Sequence, residues 1–246
     1  MSSQMLNDHT FTQAPATRAP AAARTMTLTG TITKALVLLV IAGVCASFGW
    51  SVALDWFSQS GLWWLFGYFM LIGLTIAAVN NPTMAMVAGF LYAILMGFWM
   101  GAVSRMYELV YDGIVAQALL ASVGVFLGCL ILYLTGAVRA TPKFTRIVIM
   151  ATFGILLMYL MAFFLSLFGV DLLMITEPSI GAILLSGAIC IVAALNLFID
   201  FAVIDQGIER KAPAAMEWYA AFGLISTLVW LYAEVLRFLA LLRSRQ

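Results

Sequence analysis

Three charged side chains lie where the chain is otherwise apolar: Asp200, Glu234 and Arg237. Asp205 closes the same apolar run that holds Asp200. A charge placed in bilayer hydrocarbon costs about 2.5–3.5 kcal/mol on insertion scales, so such residues face a bundle interior, pair, or line a water path. On a helix, Asn196 and Asp200 share a face, whereas Asp205 is turned about 140° from Asp200. Glu234 and Arg237 are three residues apart and meet on one face. The chemistry this points to is proton chemistry. Two carboxylates held close cannot both ionise easily; one proton bridges them, and its loss sets them in repulsion, a physical route to pH-dependent opening. A second arrangement stays open, in which Glu234 and Arg237 neutralise each other while Asn196 and Asp200 bond to neighbouring helices. Depth does not choose the partner of Glu234. That residue is about 24 Å along a helix entered near Trp218, while Asp200 is about 7–8 Å from Asp205. Asp200 fits better if both helices extend beyond the membrane.

Other chemistries find little support. Cys45, Cys129 and Cys190 sit in apolar runs without a CxxC pair, so they read as packing residues rather than a disulfide or zinc framework. The single histidine, His9, is in the N-terminal tail. No segment carries a zinc-binding HExxH, a nucleophile elbow, a phosphate loop, or the Gly-x-Gly-Asp of intramembrane aspartyl proteases. The expectation is a non-enzyme without a cofactor.

Charged residues make up 9% of the chain and apolar residues 64%. Soluble domains carry about a quarter charged and about half apolar residues. A net charge of +1 favours no polyanionic partner, nucleic acid included. The lipid bilayer is the implied solvent. Residues 1–31 form a polar tail with Pro15 and Pro20, expected to be disordered, and 32–246 an all-α membrane domain. Seven apolar segments follow the tail: 35–54, 62–79, 84–104, 114–138, 147–168, 179–204 and 218–242. Each reaches or nearly reaches the ~20 residues that cross ~30 Å of hydrocarbon. The first is too long for a signal-peptide core. The breaks carry Asp55–Gly61, Asn80-Asn81-Pro82-Thr83, Arg105–Gly113, Arg139–Arg146 with Pro142, Asp171–Pro178, and Asp205–Glu217 with Pro213.

A cytoplasmic N-terminus puts Arg18, Arg24, Lys34, Arg139, Lys143, Arg146, Arg210 and Lys211 on the inner side, leaving Arg105 for the outer connections. Arg243 and Arg245 at the C-terminal end point the other way. Gly97-x-x-x-Gly101 and Gly124-x-x-x-Gly128 permit close helix approach, within the bundle or in a dimer. Trp50, Trp56, Trp63, Trp64, Trp218 and Tyr219 fit interfacial belts.

At these positions the sequence resembles the Bax inhibitor-1/YccA-like family, also called the transmembrane BAX inhibitor motif family, in a bacterial branch. The resemblance covers nearly the whole chain after the tail. Its carriers are Met26-Thr-Leu-Thr-Gly-Thr-Ile-Thr-Lys34, the stretch Tyr92 to Glu108, and above all Asn196 to Leu242. Ile204-Asp205-Gln-Gly-Ile208 looks like the family's Tyr-Asp-x-x-x-Ile element, with its Ile one residue early. Leu231-Tyr-Ala-Glu234-Val-Leu-Arg237-Phe-Leu239 looks like Leu-Tyr-x-Asp-Ile-x-Asn-Leu-Phe. The resemblance implies a seven-helix bundle with a central last helix, and two acids, one from each of the last two helices, gating a pH-sensitive calcium leak. By motif the acids are Asp205 and Glu234; by depth Asp200 replaces Asp205. Glu234 stands where the pattern has Asp, and Met96 where a bacterial relative is expected to have Glu. The resulting expectation is a bacterial inner-membrane protein that leaks Ca²⁺ or another cation and responds to protons. The alternative is a non-conducting regulator of a membrane protease or stress response, acting through the tail and the Pro213 loop.

Overall fold

The computed structural model describes residues 24–57, 73–75, 84–168 and 179–245. Among these residues, six helices are long and apolar enough to cross a membrane. They are α1 (Leu28–Phe57), α2 (Ala85–Val110), α3 (Ile114–Leu134), α4 (Pro142–Leu167), α5 (Ile180–Glu209) and α6 (Met216–Arg243). The expected segment 62–79 lies outside the described residues apart from 73–75, as do His9, Arg18, Trp63, Trp64, the Asn80–Thr83 turn and the Asp171–Pro178 connection. The protein is an all-helical, multi-pass membrane protein. Large apolar side chains such as Val44 (67% exposed) and Leu120 (74% exposed) face outward in numbers that water would not tolerate and lipid does.

The helices outrun their apolar cores. A 30-residue helix such as α1 or α5 spans about 45 Å. This exceeds the hydrocarbon, so charges expected in connections lie inside helices: Lys34 in α1, Arg105 and Glu108 in α2, Asp205 and Glu209 in α5, Glu217 in α6. The Arg105–Gly113 break therefore shrinks to Tyr111–Gly113. There the Glu108 carboxylate accepts the Gly113 and Val115 N–H groups at 2.7 and 3.0 Å, and Gly113 takes the left-handed φ of 73° that starts α3. Pro142 is the first residue of α4, where its missing N–H costs nothing, and Thr141 Oγ1 accepts the Phe144 N–H. Ser179 caps α5 in the same manner through Ala182.

The chain forms two compact units. One comprises the described residues up to Met106 together with Asp200–Ser226. In it α1 and α2 approach backbone to backbone. A Cβ at Gly97 would collide with the Ala42 carbonyl, one at Gly101 with that of Ala46, and one at Gly49 with that of Phe98. The Gly97/Gly101 pair is thus spent on packing inside the chain. Tyr92 and Phe222 meet edge to face, with ring centroids 5.2 Å apart, over Ala88.

The other unit comprises the described residues of Tyr107–Ile199 and those from Thr227 onward. Here Phe144 of α4 meets Phe198 of α5, and Gly187 of α5 lets the Phe238 ring of α6 come within 3.4 Å of where a Cβ would stand. Among the described residues, nothing lies within 4 Å of where a Cβ on Gly124 or Gly128 of α3 would stand.

Candidate functional site

Glu234 is the most deeply placed of the expected acids. It is 5% exposed and lies more than four turns into α6. Its Oε1 accepts two hydrogen bonds: from the Tyr159 hydroxyl of α4 at 2.8 Å and from the Trp230 indole one turn earlier at 3.2 Å. Its Oε2 is buried and accepts none from the described residues. Arg237 donates to the same Tyr159 hydroxyl at 2.6 Å, and its guanidinium lies 5.5 Å from the centre of that ring. The expected meeting of Glu234 and Arg237 thus runs through a third residue. Tyr159 had no mark in the sequence beyond being a phenol inside an apolar run, where its hydroxyl needs a partner.

Asn196 donates to Thr152 Oγ1 of α4 at 2.9 Å and to the Val192 carbonyl at 2.8 Å. This is the bond to a neighbouring helix that the second sequence arrangement requires of Asn196. Asp200, half-buried, turns its Oδ1 to Gly223 of α6, 3.4 Å from where a Cβ would be. Its charge also reaches Tyr219. Tyr219, expected in an interfacial belt, is buried, and its hydroxyl makes no hydrogen bond to the described residues. It lies one turn before Phe222 on the face of α6 that packs inward, which is why a position near the helix end does not expose it. Asp205 is exposed near the end of α5. Among the described residues no three His, Cys, Asp or Glu side chains gather around one point.

A second polar centre was not expected. Glu217, read from the sequence as the end of a polar connection, is 6% exposed in the first turn of α6. Its Oε1 accepts the Thr27 N–H at 2.9 Å and the Thr27 hydroxyl at 3.0 Å, and its Oε2 accepts Lys34 Nζ at 2.5 Å. Lys34 also donates to the Ala214 carbonyl at 3.0 Å and lies over the Trp218 ring. The backbone completes the contact: Met26 N–H donates to Ala212 O, Ala214 N–H to Arg24 O, and Thr25 bridges Pro213. Thr27 caps the start of α1 through the Gly30 N–H. No hydropathy signal separates a buried Glu217 from a loop Glu, because the partner is 183 residues away.

The Bax inhibitor 1 like family matches residues 5–244. The chain belongs to that family, as the Asn196–Leu242 motifs implied. Comparison with curated proteins and with solved structures gave no match.

Proposed function

We propose that the protein is a pH-sensitive leak for Ca²⁺ or a related cation in a bacterial inner membrane, with its N-terminus in the cytoplasm. The gate is a carboxylate pair made by Glu234 with an acid of α5, Asp200 or Asp205. The observation that supports this reading most is Glu234 itself. A carboxyl deep in a membrane-crossing helix, with one oxygen free of hydrogen bonds, is costly and serves poorly as packing. Protonation removes its charge; ionisation restores it, and with it the repulsion from a second acid. The test is cation flux into liposomes across a pH range around neutrality. Wild-type flux is expected to depend on pH, and Glu234→Gln and Asp200→Asn to flatten that dependence. Flux unchanged by both would remove the gate.

A second reading is a non-conducting regulator of a membrane protease or a stress response. It draws on the Pro213 connection, which Arg24–Met26 hold in a defined shape. Deleting residues 1–30 and finding a partner lost from pull-down would support it.

A further inference from the structure

We propose that Glu234 is a one-sided carboxyl: Tyr159 and Trp230 hold Oε1, Arg237 fixes the direction of the Tyr159 hydroxyl, and the proton Glu234 takes up sits on Oε2. The inference deepens the gating reading above and rests on it for its role in flux, although not for its chemistry.

The argument is one of donor counting. A guanidinium only donates, so in its bond with Arg237 the Tyr159 oxygen accepts. The single phenolic hydrogen is then left for Glu234 Oε1. The Trp230 indole, also only a donor, takes the other acceptor direction of the same oxygen. A proton on Oε1 would have to displace one of these donors inside a buried site, leaving that donor unpaired. Oε2 is buried and accepts no hydrogen bond from the described residues, so a proton there displaces neither donor. Arg237 also polarises the hydroxyl it donates to, which strengthens that hydroxyl as a donor to the ionised carboxylate. The remaining groups that feel Glu234 are Tyr107 at the end of α2 and Cys190 on α5. Tyr159 and Arg237 are therefore positioning residues: they act on cation passage through Glu234.

Infrared titration of the full chain in lipid vesicles tests this, with Glu234→Gln identifying the carboxyl band. If the proton is on Oε2, the remaining carbonyl is Oε1, which accepts two hydrogen bonds and absorbs at low frequency. Tyr159→Phe is then expected to move the band to higher frequency. It is also expected to raise the pH of half-protonation by about one unit. Arg237→Gln should raise that pH similarly, with Arg237→Lys restoring part of the loss. Trp230→Phe should produce a smaller rise, in keeping with its longer bond. Tyr159→Phe keeps the ring and its packing, so it carries the test even if Arg237→Gln does not fold. A band and midpoint unmoved in Tyr159→Phe would overturn the proposal. Calcium flux measured in the same vesicles separates the two ideas. Wild-type vesicles that pass no cation would sink the conduction reading, while the band still decides where the proton sits.

Discussion

The Lys34 ammonium and the Glu217 carboxylate, 183 positions apart in the chain, meet at 2.5 Å with both side chains largely covered. A pair drawn this far out of water is held by further bonds: Thr27 supplies two donors to Glu217, and the Ala214 carbonyl takes a second Lys34 hydrogen. The contact ties the opening turn of α1 to the connection before α6. Within the motif stretch Met26–Lys34, Thr27 and Lys34 therefore answer to a specific acceptor rather than to helix propensity.

Removing one partner should hurt more than removing both. Lys34→Met leaves Glu217 short of its counter-ion and should cost about 1–3 kcal/mol. Glu217→Gln should cost less, because an amide keeps an acceptor for Thr27. In a double-mutant cycle on detergent-solubilised protein, the two losses should be clearly less than additive. Additive losses would mean that the ion pair contributes nothing of its own.

Gly30 bears on the same contact from the other side. A Cβ there would collide with the Glu217 carboxylate. That group is pinned by three hydrogen bonds and cannot swing away cheaply. Gly30→Ala should thus lower the melting temperature, against the gain that Gly→Ala brings in an unobstructed helix. A rise in melting temperature would show that the carboxylate moves freely.

The apolar runs were enough to find the six described helices, because bilayer thickness imposes a length that few other constraints imitate. Their ends were not legible in the same way. Hydropathy treats a charge as punctuation, yet Lys34, Glu108 and Glu217 lie inside helices and bond to them. The acid Glu234 was legible because a carboxyl in an apolar run is conspicuous. Tyr159 was not, because a phenol is ordinary there and its partners come from a helix distant in sequence. Both glycine pairs looked equivalent at the level of spacing. Only the neighbouring backbone tells Gly97 and Gly101 from Gly124 and Gly128.

That difference can be measured. Gly97→Ala and Gly101→Ala each force α1 and α2 apart at a backbone carbonyl and should destabilise by about 1–3 kcal/mol. Gly124→Ala and Gly128→Ala meet none of the described residues, and the gain in helix propensity, about 0.5–1 kcal/mol, should leave them neutral or slightly stabilised. Thermal unfolding of the four variants in one detergent would expose the contrast. Equal losses at all four positions would contradict it.

The α2–α3 turn depends on one carboxylate. Glu108 satisfies two N–H groups at the start of α3 that Gly113, having no side chain, cannot cap. Glu108→Ala should loosen the first turn of α3 at a cost of about 1 kcal/mol. Hydrogen exchange should then speed up at residues 113–117 while the middle of α3 stays protected. Unchanged exchange at those amides would mean that water replaces the carboxylate without loss.

Asn196 and Asp200 share a helix face, but different roles follow from their surroundings. Asn196 spends its amide hydrogens on Thr152 and Val192, which is a neutral bond between helices. Thr152→Val removes the inter-helix half of that and should cost about 0.5–1 kcal/mol. No proton is involved, so the pH profile of the proposed cation flux should keep its shape. Asp200 carries a titratable group beside Gly223, and Asp200→Asn should alter that profile even where stability is unchanged. The two variants, compared in the same flux and unfolding assays, separate packing from gating. If Thr152→Val reshapes the pH profile as strongly as Asp200→Asn, the profile reports general loosening of the helices, and the α5 acid loses its special part in the gate.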